Sequence, residues 1–252
     1  MKTRIILFAL FAMLIAGNTA TAKENFKDIY AKNVEARGGE ALVSSLQTYI
    51  ITGKLVREDS ITFHFRAAFK SPDKSIIEYY HSGDTLAIAL DGKQGWTLMP
   101  QLGQAPIELP EEKVRESIQL TITPVIQYFN QLDIYKEANN KKSKSKVEVT
   151  DNKDSVNSIE NYKLICSGSG SDAEIIFVNK TDYLISQINS SFTTGDITQP
   201  AIISLRDYRK VNELTIPFYV KIANNKASIA EITVDTIEVN PPLEDIIFAI
   251  PK

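Results

Sequence analysis

The side chains able to do covalent or metal chemistry are few in this chain, and their spacing does not suit it. There are two histidines, His64 and His81, and one cysteine, Cys166. Both histidines fall in stretches of extended character, "ITFHFRAAFK" and "SIIEYYHSG", and neither stands in an H-E-x-x-H or comparable spacing. Each reads as a surface or rim residue. Cys166 closes the apolar run of "NYKLICSGSG" and reads as a small buried hydrophobe; alone, it forms neither an intramolecular disulfide nor a cysteine metal cluster. The stretch "CSGSGSD" lacks the G-x-S-x-G elbow, the dinucleotide fingerprint and the P-loop, and reads as a turn. Asp207 and Glu238 are carboxylates that could pair for acid–base work, but no spacing selects them over the others. No catalytic residue, metal ligand or cofactor is expected, which leaves binding as the expected function.

The strongest pattern is apolar. In "ITFHFRAAFK" successive side chains of an extended strand point to opposite faces, so Ile61, Phe63, Phe65, Ala67 and Phe69 share one side and Thr62, His64, Arg66, Ala68 and Lys70 the other. "TIPFYVKIA" repeats the alternation with Ile216, Phe218, Val220 and Ile222, and "AEITVDT" adds Ala230, Ile232 and Val234. Taken singly, each position reads as packed core. As a set they predict more apolar strand surface than the helical segments can cover, so part of it is expected to line a cavity. The residues expected to meet a lipid are Phe63, Phe65, Phe69, Trp96, Ile216, Phe218, Val220, Ile232 and Val234.

The elements that must position these residues are mostly strands. Phe26, Ile29, Tyr30 and Val34 recur at helical spacing and Gly38-Gly39 follows, which predicts a helix over Asn25 to Arg37, with a short second turn in "GEALVSSLQ". Strands are predicted at Thr48 to Val56, Ile61 to Phe69, Lys74 to His81, Thr85 to Leu90 and Gly95 to Met99, with a hairpin turn at Asp91-Gly92. They resume at Tyr162 to Cys166, Ala173 to Asn179, Tyr183 to Phe192, Ile202 to Lys210, Thr215 to Ala223 and Ser228 to Val239. Between the two groups "LPEEKVRESIQL" opens a helical period at Pro110 with acidic residues behind it, and Pro124 breaks the segment in two. Val114, Ile118, Val125, Ile126 and Phe129 are its apolar positions and the expected lid. Residues 139–158 are polar and read as an exposed hairpin loop or strand edge. A sheet of about eleven or twelve strands with one greasy face must curl or close, which predicts a mostly β fold: a half-open antiparallel barrel with a helical lid or plug.

The formal net charge of −3 over 252 residues suggests no polyanionic partner, so no nucleic acid is expected. Lys2 and Arg4 precede the twelve-residue run from Ile5 to Ala16, then Ala20-Thr21-Ala22 offers a small-residue cleavage site. The run falls short of the roughly 20 residues that span a bilayer. Residues 1–22 therefore read as a secretory signal peptide and 23–252 as one mature domain beginning at Lys23. The only cysteine lies far from that cleavage point, so no lipid anchor and no stable membrane insertion of the mature chain are expected.

In order along the chain, "KNVEARGGEALVSSLQTYIITGKL", "LDGKQGWTLMP" followed by "LPEEKVRE", "DYRKVNELTIPFYVK" and the ending "NPPLEDIIFAIP" resemble the outer-membrane lipoprotein-sorting proteins, the LolA-like carriers with their LolB- and LppX-like relatives. The resemblance spans nearly the whole mature chain on spacing patterns, without a catalytic signature. It implies an incomplete β-barrel closed by helices, a hydrophobic cavity for the acyl chains of lipoproteins crossing the periplasm, and as partners an inner-membrane releasing complex, the cargo and an outer-membrane acceptor. The polar stretch at 139–158 is an addition to the family pattern and leaves lipoprotein and free lipid both open as cargo. A periplasmic lipid-binding sensor of envelope stress is the alternative, and a secreted hydrolase a more distant one.

Overall fold

A computed structural model describes residues 24–100, 103, 105–114, 125, 131–151, 159–168, 173–194, 197–224 and 227–251. The expected signal peptide and the lid positions Ile118, Ile126 and Phe129 lie outside the described residues. Helix α1 (Phe26–Ala36) starts where the Asn25 side chain accepts a hydrogen bond from the Asp28 backbone N–H at 3.2 Å. It stops at Gly38 and Gly39, both at positive φ. Gly38 also passes so close to the neighbouring hairpin that a Cβ there would meet the Glu213 carbonyl oxygen at 2.8 Å. A short helix α2 (Glu40–Ser44) follows.

The first run of strands is β1 (Thr48–Arg57), β2 (Thr62–Lys70), β3 (Lys74–His81), β4 (Asp84–Asp91), β5 (Gln94–Leu98) and β6 (Ile107–Pro110). The second is β7 (Lys146–Asp151), β8 (Asn161–Ser167), β9 (Glu174–Asn179), β10 (Ile185–Thr194), β11 (Ile197–Val211), β12 (Leu214–Ala223) and β13 (Ser228–Val239). They form one 13-stranded antiparallel sheet in the order β6-β5-β4-β3-β2-β1-β13-β12-β11-β10-β9-β8-β7. The sheet is an open, incompletely closed antiparallel β-barrel with helical elements, so the expected fold class holds. β6 and β7 come in addition to the eleven strands placed from the sequence, and both are edges. β7 lies inside the polar stretch because Val147 and Val149 alternate with charged residues, enough to bury one face of an edge strand.

Because every neighbouring pair is antiparallel, the chain reverses at two rims. The upper rim gathers the ends of β1, β3, β8, β10 and β12 with the starts of β2, β4, β9, β11 and β13. Register shifts at Thr52/Gly53, Ile185/Gln187 and Ile222/Ala223 add local twist, which helps so wide a sheet curl.

The two faces of the sheet carry separate cores. The inner one is continuous: it joins Ile51 and Leu55, Phe65, Ile77 and Tyr79, Ile88 and Leu90 to the alternating residues of β7 through β13, and it is covered by Phe26 and Ile29 of α1 and by Leu132 and Tyr135 of a 3₁₀ turn at Gln131–Tyr135. Arg37, 1% exposed, ties these covers together with a bidentate ion pair to Asp133 at 2.6 and 3.1 Å. Burial and the adjacent Asp133 push the Tyr30 phenol up to about 12. The outer core is small: Ala68, Ile76, Ala87, Ala89 and Trp96 lie under Phe248 of the C-terminal tail.

Candidate functional site

Alternation along β2 places Phe63, Phe65 and Phe69 on the inner face as expected, yet their surroundings differ. Phe65 is 2% exposed and lies against Gly53 on β1, where a Cβ would come within 2.9 Å of the ring. Phe69 is half-buried and stacks on Tyr49, with ring centroids 4.7 Å apart. Phe63, nearest the upper rim, meets the edge of Tyr79 at 6.1 Å and tilts against the His81 ring at 5.1 Å. Ile216, Phe218 and Val220 on β12 and Ile232 and Val234 on β13 are all buried in the same inner core as Phe65.

At the upper rim this face opens into a pocket of ≈ 310 Å³ lined by Arg57, Ile61, Phe63, Tyr79, His81, Asp84, Leu86 and Pro100. Its floor is apolar and aromatic and its lip is charged. His81 donates from Nδ1 to the Thr62 carbonyl oxygen at 2.9 Å, which ties the ring to the start of β2. Arg57 leans 3.5 Å from Asp59 between exposed side chains, so it is held loosely. Of the residues expected to meet a lipid, Phe63 is the one among the described lining residues. Tyr79, His81 and Leu86 were not singled out as lipid-facing, although Tyr79 and His81 alternate with Ile77 in "SIIEYYH" as Phe63 alternates with Phe65.

Trp96 is not brought to this face. β5 turns it outward, where it is 3% exposed and its indole N–H donates to the Phe248 carbonyl oxygen at 2.8 Å. The lid positions that are described reach the inner core: Val125 is fully buried, and Val114 sits in a notch over Gly95, whose added Cβ would meet the valine at 2.1 Å. Pro110 closes β6, and residues 111–114 are helical.

The remaining candidates stay apart. His64 is exposed, Asp207 forms an exposed ion pair with Arg209, and Glu238 is exposed on β13. Arg209 holds the Asp207 carboxyl below its usual range. Cys166 is fully buried, and burial followed by the charge of Glu174 pushes its thiol up to about 12, which makes it a packing residue and a poor nucleophile.

No family model matches the sequence, and no curated protein matches it. Solved structures do. A domain named for outer membrane lipoprotein sorting from Vibrio parahaemolyticus aligns at 10% identity over 88% of this chain and 95% of its own, with a TM-score of 0.55. A LolA superfamily protein from Nitrosomonas europaea aligns at 15% identity over 88% and 96%, with a TM-score of 0.53. A DUF1329 family protein from Desulfovibrio piger aligns at 13% identity over 88% and 96%, with a TM-score of 0.55. At these identities the likeness is one of fold.

Proposed function

We propose that this chain, with the fold of the LolA superfamily and of outer membrane lipoprotein-sorting domains, is a periplasmic carrier, exported by cleavage after Ala22. It holds the acyl chains of lipoproteins or free lipids on its inner face and passes them towards the outer membrane. The observation that carries this reading is the opening of a continuous apolar inner face into a rim pocket of ≈ 310 Å³, near the lower end of the range for small-molecule sites. Ile61, Phe63, Tyr79 and Leu86 receive the first methylenes. Phe65, Phe69, Ile216, Phe218, Val220, Ile232 and Val234 continue the path once the helical cover around Val114 and Val125 gives way.

An acyl chain of about 15 methylenes at ~0.8 kcal/mol each gains about 12 kcal/mol on burial. A membrane offers a comparable gain, so release is driven by an acceptor or by closure of the cover. This is binding without covalent chemistry, and it calls for an inner-membrane releasing complex and an outer-membrane acceptor. The test is to purify the mature chain from the envelope, identify acylated material by mass spectrometry, and titrate it with a fluorescent acyl probe. Saturable probe binding with co-purified acyl cargo is expected. A chain that carries no acylated material and leaves the probe unbound overturns the reading.

A further inference from the structure

Among the described residues, the inner face holds a polar cluster at Glu174 that acyl binding leaves unused. Glu174 opens β9 at the upper rim and points inward with Ile176 and Val178. Its Oε2 accepts from Gln131 Nε2 at 2.8 Å and from the Tyr135 hydroxyl at 2.9 Å, and its Oε1 accepts from Ser190 Oγ at 2.8 Å. All three donors are neutral, and among the described residues no cation stands against the carboxylate. Beside it the other amide atom of Gln131, Oε1, accepts nothing although the residue is only 5% exposed. Burial, and then the charge of Glu174, hold the Tyr135 phenol protonated as a donor.

A carboxylate oxygen with a lone pair to spare and an idle amide oxygen on the adjoining side chain together want a donor, and leaving such acceptors unmatched in a buried place is costly. A positively charged donor answers both needs at once. A divalent metal suits the place less well, because it takes six or more oxygens and no group of three or more acidic, histidine or cysteine side chains gathers among the described residues. The cluster lies on the same face and at the same rim as the pocket at Phe63 and His81, on the other half of the sheet.

Resting on the acyl-binding reading above, we propose that Glu174 and Gln131 form a headgroup subsite that takes the primary ammonium of an amphiphile whose chain lies on the inner face. Cargo with an amine headgroup is thereby favoured over cargo of equal chain length ending in a hydroxyl or a carboxylate.

The test uses the mature chain loaded with the neutral probe N-phenyl-1-naphthylamine, displaced by dodecylamine, dodecanol or dodecanoate at pH 7. Dodecylamine is expected to displace the probe at about one-tenth the concentration of dodecanol, the gain of one charge-assisted hydrogen bond, with dodecanoate weakest. In Glu174→Gln the amine is expected to lose its advantage, so that amine and alcohol converge to within about twofold. Equal displacement by all three in the unmodified chain overturns the headgroup subsite while acyl binding stands, and this comparison needs no variant to fold. Failure of the probe and of all three competitors to bind overturns both.

Discussion

Phe63 and Phe65 lie two residues apart on one strand and one face, but Phe63 walls the open pocket while Phe65 is packed behind it. Phe65 is packed on Gly53 and nearly inaccessible, whereas Phe63 borders open space with Tyr79 and His81. Phe65→Ala is expected to cost about 3–5 kcal/mol of stability, because the surrounding strands leave a cavity behind it. Phe63→Ala is expected to cost under about half of that and yet to weaken binding of a fluorescent acyl probe several-fold. Paired denaturant titrations and probe titrations check this. Equal stability losses, or unchanged probe binding in Phe63→Ala, remove the pocket's claim to be the entrance. Alternation in "ITFHFRAAFK" suffices to put both phenylalanines inward, since strand geometry alone sets the period. It cannot separate them, because the glycine beneath Phe65 comes from another strand and the rim beside Phe63 from two more hairpins.

The helical cover is held at the element scale by a contact between a residue without a side chain and one with a branched one. Val114 fills the space over Gly95, so the first turn after β6 is seated directly on β5. Gly95→Ala places a methyl 2.1 Å from the valine and is expected to expel it. The expected loss is about 1–3 kcal/mol, the usual cost of overpacking. Hydrogen exchange should quicken across Ile107 to Val114 while β8 to β12 keep their protection. Unchanged exchange there shows that the cover is seated elsewhere. The helical period of "LPEEKVRESIQL" is visible in the sequence, and so is Val114 as an apolar position. The glycine that receives it reads only as part of a hairpin, because the notch exists only once β5 and the segment after β6 are stacked.

Across the whole molecule, the C-terminal tail crosses the outer face as a strap. Lys70 and Lys74 both reach Asp245, at 2.6 and 3.1 Å, and Phe248 closes over Trp96. The two lysines hold the Asp245 carboxyl below the usual carboxylate range. Its contribution is therefore present above the unfolded value of about 3.9 and is lost as pH falls through the lower folded value. Trp96 is the only tryptophan, so its fluorescence reports on this strap. Acid is expected to shift Trp96 emission to the red below about pH 4 while the emission stays constant between about pH 5 and 8, and Asp245→Asn is expected to show part of that shift already at neutral pH. Emission in Asp245→Asn that matches the parent at every pH removes the carboxylate from the strap.

The sequence by itself determined what the backbone period determines. Eleven strands, helix α1 with its Asn25 start and glycine stop, the inward set on β2, β12 and β13, and the absence of a zinc or nucleophile spacing all follow from local spacing, because a side chain's face is set by its neighbours along the chain. The tertiary structure alone decided which apolar face is which. Trp96 sits in an apolar hairpin and was expected inside, but the sheet has two buried faces, and only the return of Phe248, 152 residues later, makes the outer one a core. Glu174 with Gln131 is the same case in polar form: the donors come from two other segments, the farthest of them 43 residues from the carboxylate, and no local pattern brings them together. Periodicity is a property of one strand, whereas the second core, the rim pocket and the polar cluster depend on how 13 strands pair and curl, which only long-range contacts specify.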